Sequence, residues 1–116
     1  MKATLQSSEH YLWGNACDGW KLLNGANLSV IQERMPAGTQ EVAHHHQRAE
    51  QFFYVLSGVL TLRLPEGDVE LHPQEGLHVP AGKVHIAMNL SGQDVHFLVV
   101  SSPSTAGDRV VTEQFA

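Results

Sequence analysis

The sequence is poor in cysteine and in positive charge. Cys17 is the only cysteine among 116 residues, and seven lysines and arginines stand against twelve aspartates and glutamates. One cysteine cannot form an intrachain disulfide, which is typical of a reducing compartment. The basic residues are scattered and the net charge is −5. We therefore expect no nucleic acid partner, because phosphate binding requires a basic surface.

Long apolar runs are absent as well. No segment approaches the roughly 20 consecutive apolar residues that cross a bilayer. Residues 1–10 lack the apolar stretch and the small-residue cleavage site of a signal peptide. We expect a soluble cytoplasmic protein without a membrane partner. Its hydrophobic share of 42% and its length suit one folded domain with a single core.

Turn-forming residues occur at short intervals through the middle of the chain, as in Pro80-Ala81-Gly82. Between these turns lie short runs rich in β-branched and aromatic residues. The predicted strands cover residues 28–34, 51–56, 59–64, 69–72, 77–79, 84–89 and 95–101. Many short strands at close spacing predict an all-β sandwich or barrel. No stretch is long and periodic enough to predict a helix.

The ends of the chain are less regular than its middle. Residues 1–26 carry Tyr11, Trp13 and Trp20 among many polar positions. We interpret them as an N-terminal arm with one or two strands that cover the barrel or a partner subunit. Residues 27–116 are then the β-barrel domain, and 110–115 form either a last short strand or a loose tail.

Residues 51–64 fit a β-hairpin if Ser57-Gly58 forms a two-residue turn, which places Val55 opposite Leu60. Side chains two residues apart share a face. One face of this hairpin contains Gln51, Phe53, Val55, Leu60, Leu62 and Leu64. It is apolar except for Gln51, so it is predicted to face the interior. Gln51 then needs a partner there, because burial of an unpaired amide is costly.

Histidine is the residue in excess, with eight copies, three of them consecutive. His44 and His46 project from one face of a strand, whereas His45 points the other way. Two imidazoles on one face form half of a metal site. His85 follows a tight turn and is the best candidate for a further ligand. His78 is predicted to be an ordinary strand histidine.

Two segments resemble the two motifs of the cupin family. The first motif of that family contains a glycine, His-x-His, an acidic ligand and a closing glycine. The segment with Gly38, His44-His45-His46 and Gly58 resembles it. The second resembles Pro-x-Gly, two residues, His, three residues and Asn, represented here by Pro80-Ala81-Gly82, His85 and Asn89. Both motifs occur in the right order and span close to half of the chain.

The sequence departs from these motifs at two positions. Gln51 stands where the family has its acidic ligand, and Glu50 is the rival one residue earlier. The predicted register favours Gln51, because it shares the interior face with Phe53, although a bulge could reverse this choice. Gln74 replaces the glycine that begins the second motif, and Gly76 is the candidate to form that turn instead.

The resemblance implies a double-stranded β-helix, the cupin jelly-roll barrel, and a homodimer that covers its sheet edges. It also implies one divalent metal ion held by His44, His46, Gln51 and His85. Zn, Ni, Fe, Mn or Co would suit this set. Two kinds of function stay open, besides a metal that serves only to stabilise the fold. One is a metal-dependent isomerase, cyclase, lyase or dioxygenase acting on a small oxygenated molecule such as a sugar, uronate or keto acid. The other is a non-catalytic module that binds or senses a small sugar-like ligand.

Overall fold

The computed structural model describes residues 1–112 and contains strands but no helix in that range. The all-β prediction is confirmed. The last residues of the predicted barrel domain, 113–116, lie outside the described part. The strands are β1 (Glu9–Trp13), β2 (Cys17–Asn24), β3 (Ser29–Met35), β4 (His44–His46), β5 (Glu50–Ser57), β6 (Leu60–Leu64), β7 (Gly67–Leu71), β8 (Gly76–Val79), β9 (Ile86–Met88), β10 (Val95–Ser102) and β11 (Arg109–Val111). Residues 1–112 hold no helix of the length and apolar character needed to cross a membrane.

The strands form a large sheet and two smaller ones. The large sheet has six strands in the order β1-β2-β3-β10-β5-β8, and all of its pairs are antiparallel. One smaller sheet has the order β7-β6-β9 and the other pairs β11 with β4. A bridge between His44 and His85 joins the two smaller sheets. β4 therefore lies beside the segment that precedes β9.

The segment predicted as an arm extends the large sheet. β1 and β2 form an antiparallel pair, and β2 continues onto β3. Tyr11 and Trp13 are half-buried on the inner side of this extension and line a cavity. β2 and β3 belong to one continuous sheet. The division of the chain at residue 26 stays a prediction.

The predicted pairing of residues 51–56 with 59–64 is wrong, although the predicted faces are right. β5 pairs with β10 and β8, whereas β6 pairs with β7 and β9. Gly58 has a φ of 81°, and a side chain on it would meet the backbone of Asp94 and Val95. The chain crosses between sheets at this glycine. The alternation of buried and exposed side chains along a strand depends only on which side of the strand faces the interior. The predicted faces are therefore correct even though the strand partners differ from the prediction.

The interior of the barrel is filled from the large sheet and from the sheet of β7, β6 and β9. The inner faces of β5 and β6 are buried from Gln51 to Leu64, as predicted, while Thr61 is the one buried residue of the opposite face. The largest fully buried hydrophobic side chains are Phe97, Met35, Leu60, Leu62 and Met88. Each such side chain contributes about 2 kcal/mol of transfer free energy to folding. This core closes one part of the barrel, and the polar interior residues lie beyond it.

The turn between β7 and β8 uses Gln74 itself, so the expectation that Gly76 forms it is wrong. Gln74 has a φ of 68°, in the left-handed region where a glycine is usual. Its backbone amide donates to Val55 O over 2.8 Å, which holds the strained residue in place. Gly76 is instead the first residue of β8, where a side chain would collide with Phe52.

Candidate metal centre

Three histidines converge because two separate segments pair through their backbones. His44 and His46 project from one side of β4, and both are buried. The amide of His44 donates to His85 O over 3.2 Å, and the amide of His85 donates to His44 O over 2.9 Å. One potential ligand nitrogen from each of the three side chains lies within 4.8 Å of the others. Such a cluster could hold a metal ion.

Backbone carbonyls set the orientation of two of these imidazoles. His44 Nδ1 lies 2.9 Å from Val42 O, and His85 Nδ1 lies 2.9 Å from Lys83 O. A ring nitrogen that donates to a carbonyl leaves the other nitrogen of a neutral imidazole free to accept a metal ion. His85 Nε2 is fully buried and has no hydrogen-bond partner among the described residues. An unpaired buried acceptor of this kind fits a metal ligand.

Burial keeps these imidazoles neutral. Desolvation lowers the pKa of His44 to about 3, and the neighbouring His85 adds to this effect. Desolvation, followed by the proximity of His85, lowers the pKa of His46 to about 4. The pKa of His85 is also lowered, mainly by burial. Three uncharged imidazoles at neutral pH are ready to coordinate, since no proton has to leave first.

Gln51 and Glu50 lie on opposite faces of β5. Gln51 is buried, and its Nε2 donates to Ser101 Oγ over 3.1 Å. Its Oε1 is buried without a hydrogen-bond partner among the described residues. Glu50 is exposed and lies 2.8 Å from Nε2 of His78, on the outer face. Of the two rivals, only Gln51 lines the same cavity as His44 and His46.

A cavity of about 240 Å³ opens beside the histidines. Part of its wall is apolar and part carries groups that can exchange protons or bind anions. The lining residues are Tyr11, Trp13, Ile31, Glu33, Glu41, His44, His46, Gln51, Phe53, Val99, Ser101, Thr105 and Arg109. A mainly apolar pocket with a few convergent polar groups is the usual form of a small-molecule site.

Two carboxyl groups in the wall are held partly in their neutral form. Burial, and then the charge of Glu41, raise the pKa of Glu33 to about 8. Burial raises the pKa of Glu41 to about 7, against the opposing effect of a hydrogen bond from the Ala87 amide at 2.9 Å. Burial, and then the charge of Glu33, raise the pKa of Tyr11 above its ordinary range. Carboxyl groups that titrate near neutral pH are suited to acid–base chemistry.

Arg109 brings a positive charge to the same wall. It stands opposite His46 in the antiparallel pair of β11 and β4. Directly opposed side chains lie on one face about 5 Å apart at Cβ. The guanidinium is exposed, and no carboxylate of residues 1–112 forms an ion pair with it. It is therefore available to an anionic ligand in the cavity.

Four cavity residues were not predicted as site residues from the sequence, namely Glu33, Glu41, Tyr11 and Arg109. For Glu33 the signal was present, because it shares the inner face of β3 with the apolar Ile31 and Met35. The same alternation predicts that Gln51 faces the interior. Glu41 lies before β4, outside any predicted strand. Arg109 and Tyr11 are far from the motifs, and nothing local marks them.

The model of the family described as "Cupin domain" matches residues 31–101, more than half of the chain. The chain belongs to the cupin family. The matched range of this cupin includes all three histidines, Gln51 and Ser101, and ends within β10.

Known cupins share this fold at low sequence identity. KdgF from Halomonas sp. aligns with a TM-score of 0.81 at 18% identity, over 90% of this chain and 95% of that one. The polyketide cyclase RemF from Streptomyces resistomycificus aligns with a TM-score of 0.77 at 21% identity, over 90% and 80% of the two chains. The cupin is also similar to quercetin 2,3-dioxygenase from Bacillus subtilis (strain 168), at 36% identity over 56 residues. That match covers 48% of this chain and 17% of the dioxygenase.

Proposed function

We propose that this cupin is a metal-dependent enzyme that acts on a small oxygenated molecule such as a sugar, uronate or keto acid. His44, His46, Gln51 and His85 would hold one divalent metal ion. The observation that carries the proposal is the position of these donors beside a cavity that also contains acidic, phenolic and cationic side chains. A site that only stabilised the barrel would need none of those further groups.

The donor set fits a divalent ion. His85 Nε2 and Gln51 Oε1 are both buried acceptors without a protein partner in residues 1–112. Leaving two such groups unpaired would cost the folded chain about 1–3 kcal/mol each, which coordination would offset. Three imidazoles and an amide oxygen suit Zn, Ni, Fe, Mn or Co. When bound, such an ion supplies Lewis-acid polarisation of a carbonyl or hydroxyl oxygen.

The other cavity residues indicate the kind of substrate. Arg109 offers a guanidinium to a carboxylate, which it can bind through two parallel hydrogen bonds. Trp13, Ile31 and Val99 present apolar surface to a carbon skeleton. A volume of about 240 Å³ admits a small molecule. Among small oxygenated molecules, this combination favours those with a carboxylate, namely uronates and keto acids.

The test combines metal analysis with a substrate screen. The chain is stripped with a chelator and reloaded with each of the five metals, and metal affinity is measured by calorimetry for wild type, His85→Ala and Gln51→Ala. We expect one ion per chain, and at least 100-fold weaker binding in His85→Ala. The exposed His72 lies away from the cavity, so His72→Ala is the matched control.

Turnover is then screened with uronates and keto acids at full metal loading. We expect turnover in wild type and in His72→Ala, and its loss in the metal-free chain. Equal metal affinity in wild type and His85→Ala would contradict the ligand assignment. Ligand binding that persists without metal, in the absence of any turnover, would instead favour a non-catalytic binding module.

We also propose that the protein is a homodimer formed through the outer face of the large sheet. Phe52 is 42% exposed on that face. It lies opposite Val100, which lies opposite Val30 on the next strand. Leu98 continues this apolar surface beside Tyr54. A contiguous apolar patch of this kind typically marks a protein–protein interface.

A further inference from the structure

Tyr11 and Glu33 lie on the same row of the large sheet with one glycine between them. Tyr11 stands opposite Gly19 in the pair of β1 and β2, and Gly19 stands opposite Glu33 in the pair of β2 and β3. Directly opposed residues of an antiparallel sheet share a face. Both side chains therefore belong to the inner face, and both line the cavity.

Gly19 makes the contact between them possible. A Cβ added to Gly19 would lie 2.6 Å from the phenolic oxygen of Tyr11 and even closer to its ring. The ring thus lies directly over the glycine, with its hydroxyl extended across β2 toward the next strand. Only a residue without a side chain permits this path. The phenol is consequently placed beside the Glu33 carboxyl, which accounts for the effect of Glu33 on the pKa of Tyr11.

Glu33 is a carboxyl group in an unusual place. It is half-buried between Ile31 and Met35, and no lysine or arginine of residues 1–112 forms an ion pair with it. The charged or titratable groups that act on it are Tyr11, Glu41 and Arg109. A buried carboxyl with a phenol and a second acid as neighbours holds a proton readily and can also release it.

We infer that Glu33, with Tyr11 beside it across Gly19, is the proton-transfer group of the cavity. This inference rests on the proposed function. The Glu33 carboxylate takes a proton from the carbon next to a substrate carbonyl. The electron pair of that C–H bond becomes the C=C bond of an enolate, and the π pair of the carbonyl moves onto its oxygen. Glu33 then returns a proton to carbon. No electron leaves the substrate, so no oxidant is required.

The first test measures the Tyr11–Glu33 contact in the metal-free chain. The chain has two tyrosines, so in a Tyr54→Phe background the phenolate absorbance reports Tyr11 alone. We expect the midpoint of the alkaline titration to fall by about one pH unit or more when Glu33→Gln removes the neighbouring charge. Glu70→Gln, on the exposed strand β7, is the matched control and leaves the midpoint in place. An unchanged midpoint in Glu33→Gln overturns the inference.

The second test follows proton transfer itself with pyruvate, a small keto acid, as the probe. Exchange of its methyl protons in D₂O is monitored by NMR with the zinc-loaded protein. We expect wild type and Glu70→Gln to catalyse exchange, Glu33→Gln to be at least 100-fold slower at unchanged zinc content, and Tyr11→Phe to be slowed less. Glu33→Gln nearly preserves side-chain volume, and zinc content verifies that the site is intact.

The outcomes separate the two proposals. Exchange by Glu33→Gln at the wild-type rate, or no exchange by wild type above the uncatalysed rate, overturns the inference. Exchange that depends on Glu33 but persists after removal of zinc supports the inference and contradicts the metal-dependent function. Exchange that requires zinc but not Glu33 supports the metal-dependent function and contradicts the inference.

Discussion

The amide nitrogen of Gln51 donates a 3.1 Å hydrogen bond to the hydroxyl of Ser101, directly opposite on β10. Both residues are buried. This contact occupies the nitrogen and determines which end of the amide stays free, namely Oε1. An amide can present either its nitrogen or its oxygen to a cavity, and only the oxygen can bind a metal ion. Ser101 is therefore the residue that orients the proposed fourth ligand.

Replacement of Ser101 by alanine is expected to weaken metal binding without unfolding the protein. The amide of Gln51 loses its orienting partner and can rotate, and loss of an outer partner typically costs 10- to 100-fold in metal affinity. Calorimetric titration with zinc measures the change. Ser102→Ala is the control, because Ser102 points outward and donates to Asn27 O. Equal zinc affinity in Ser101→Ala and wild type would show that Gln51 does not depend on Ser101, or does not bind the ion.

The stability of the metal-free protein is expected to fall as the pH rises from about 6.5 to 8. The pKa of Glu33 is raised from 4.5 to about 8, so the folded state keeps a proton that the unfolded chain has lost. Its stabilising contribution is complete below pH 4.5 and disappears as the pH rises through 8. Below pH 6.5 the lowered pKa values of His44 and His46 act in the opposite direction. Between pH 6.5 and 8, the change in the free energy of unfolding therefore reports the buried carboxyl groups and not the histidines.

Urea unfolding at several pH values checks this dependence. For wild type we expect a loss of about 1 kcal/mol per pH unit for a group such as Glu33 in this window. Glu33→Gln should reduce the decline, since the glutamine does not titrate, whereas Glu70→Gln should not. The same decline in wild type and Glu33→Gln would mean that Glu33 is ionised in the folded protein at pH 6.5.

Asn89, the last residue of the second motif, is expected to be structural. It is fully buried, and its Nδ2 donates to Met35 O at 2.9 Å and to Gln93 O at 2.7 Å. Its Oδ1 accepts from both the amide and the hydroxyl of Ser91. Asn89→Ala leaves these groups unpaired and should lower the free energy of unfolding by about 1–3 kcal/mol or more. Asn24→Ala, at an exposed strand end, is the control for chemical denaturation. A loss no larger than that of the control would contradict this role.

The proposed dimer predicts that substitution of Phe52 changes the oligomeric state, whereas substitution of Leu90 does not. Phe52→Ser should convert the dimer to a monomer, because it removes an exposed apolar side chain from the patch on the outer face. Leu90 is 64% exposed but lies outside the large sheet, so Leu90→Ser should leave the dimer intact. Light scattering after size-exclusion chromatography measures the mass. A monomeric wild type at every concentration would refute the dimer.

Local patterns in the sequence were sufficient for the strands and for the side of each strand that faces inward. Seven predicted strands appear within a few residues of their expected positions, and the alternation from Gln51 to Leu64 separates buried from exposed positions with Thr61 as the exception. These properties depend on turn chemistry and on a two-residue repeat, both of which are written in neighbouring residues. The motif spacing likewise placed the histidines on strands that could meet.

Strand partners and the composition of the cavity were decided by the tertiary structure alone. β5 and β6 are adjacent in sequence but lie in different sheets, and Gly58 between them packs against the backbone of Asp94 and Val95. Tyr11 reaches Glu33 because two separate strand pairings align them across Gly19. Arg109 reaches the histidines through the pairing of β11 with β4. Such contacts join residues far apart along the chain, and no short-range pattern encodes which strands will pair.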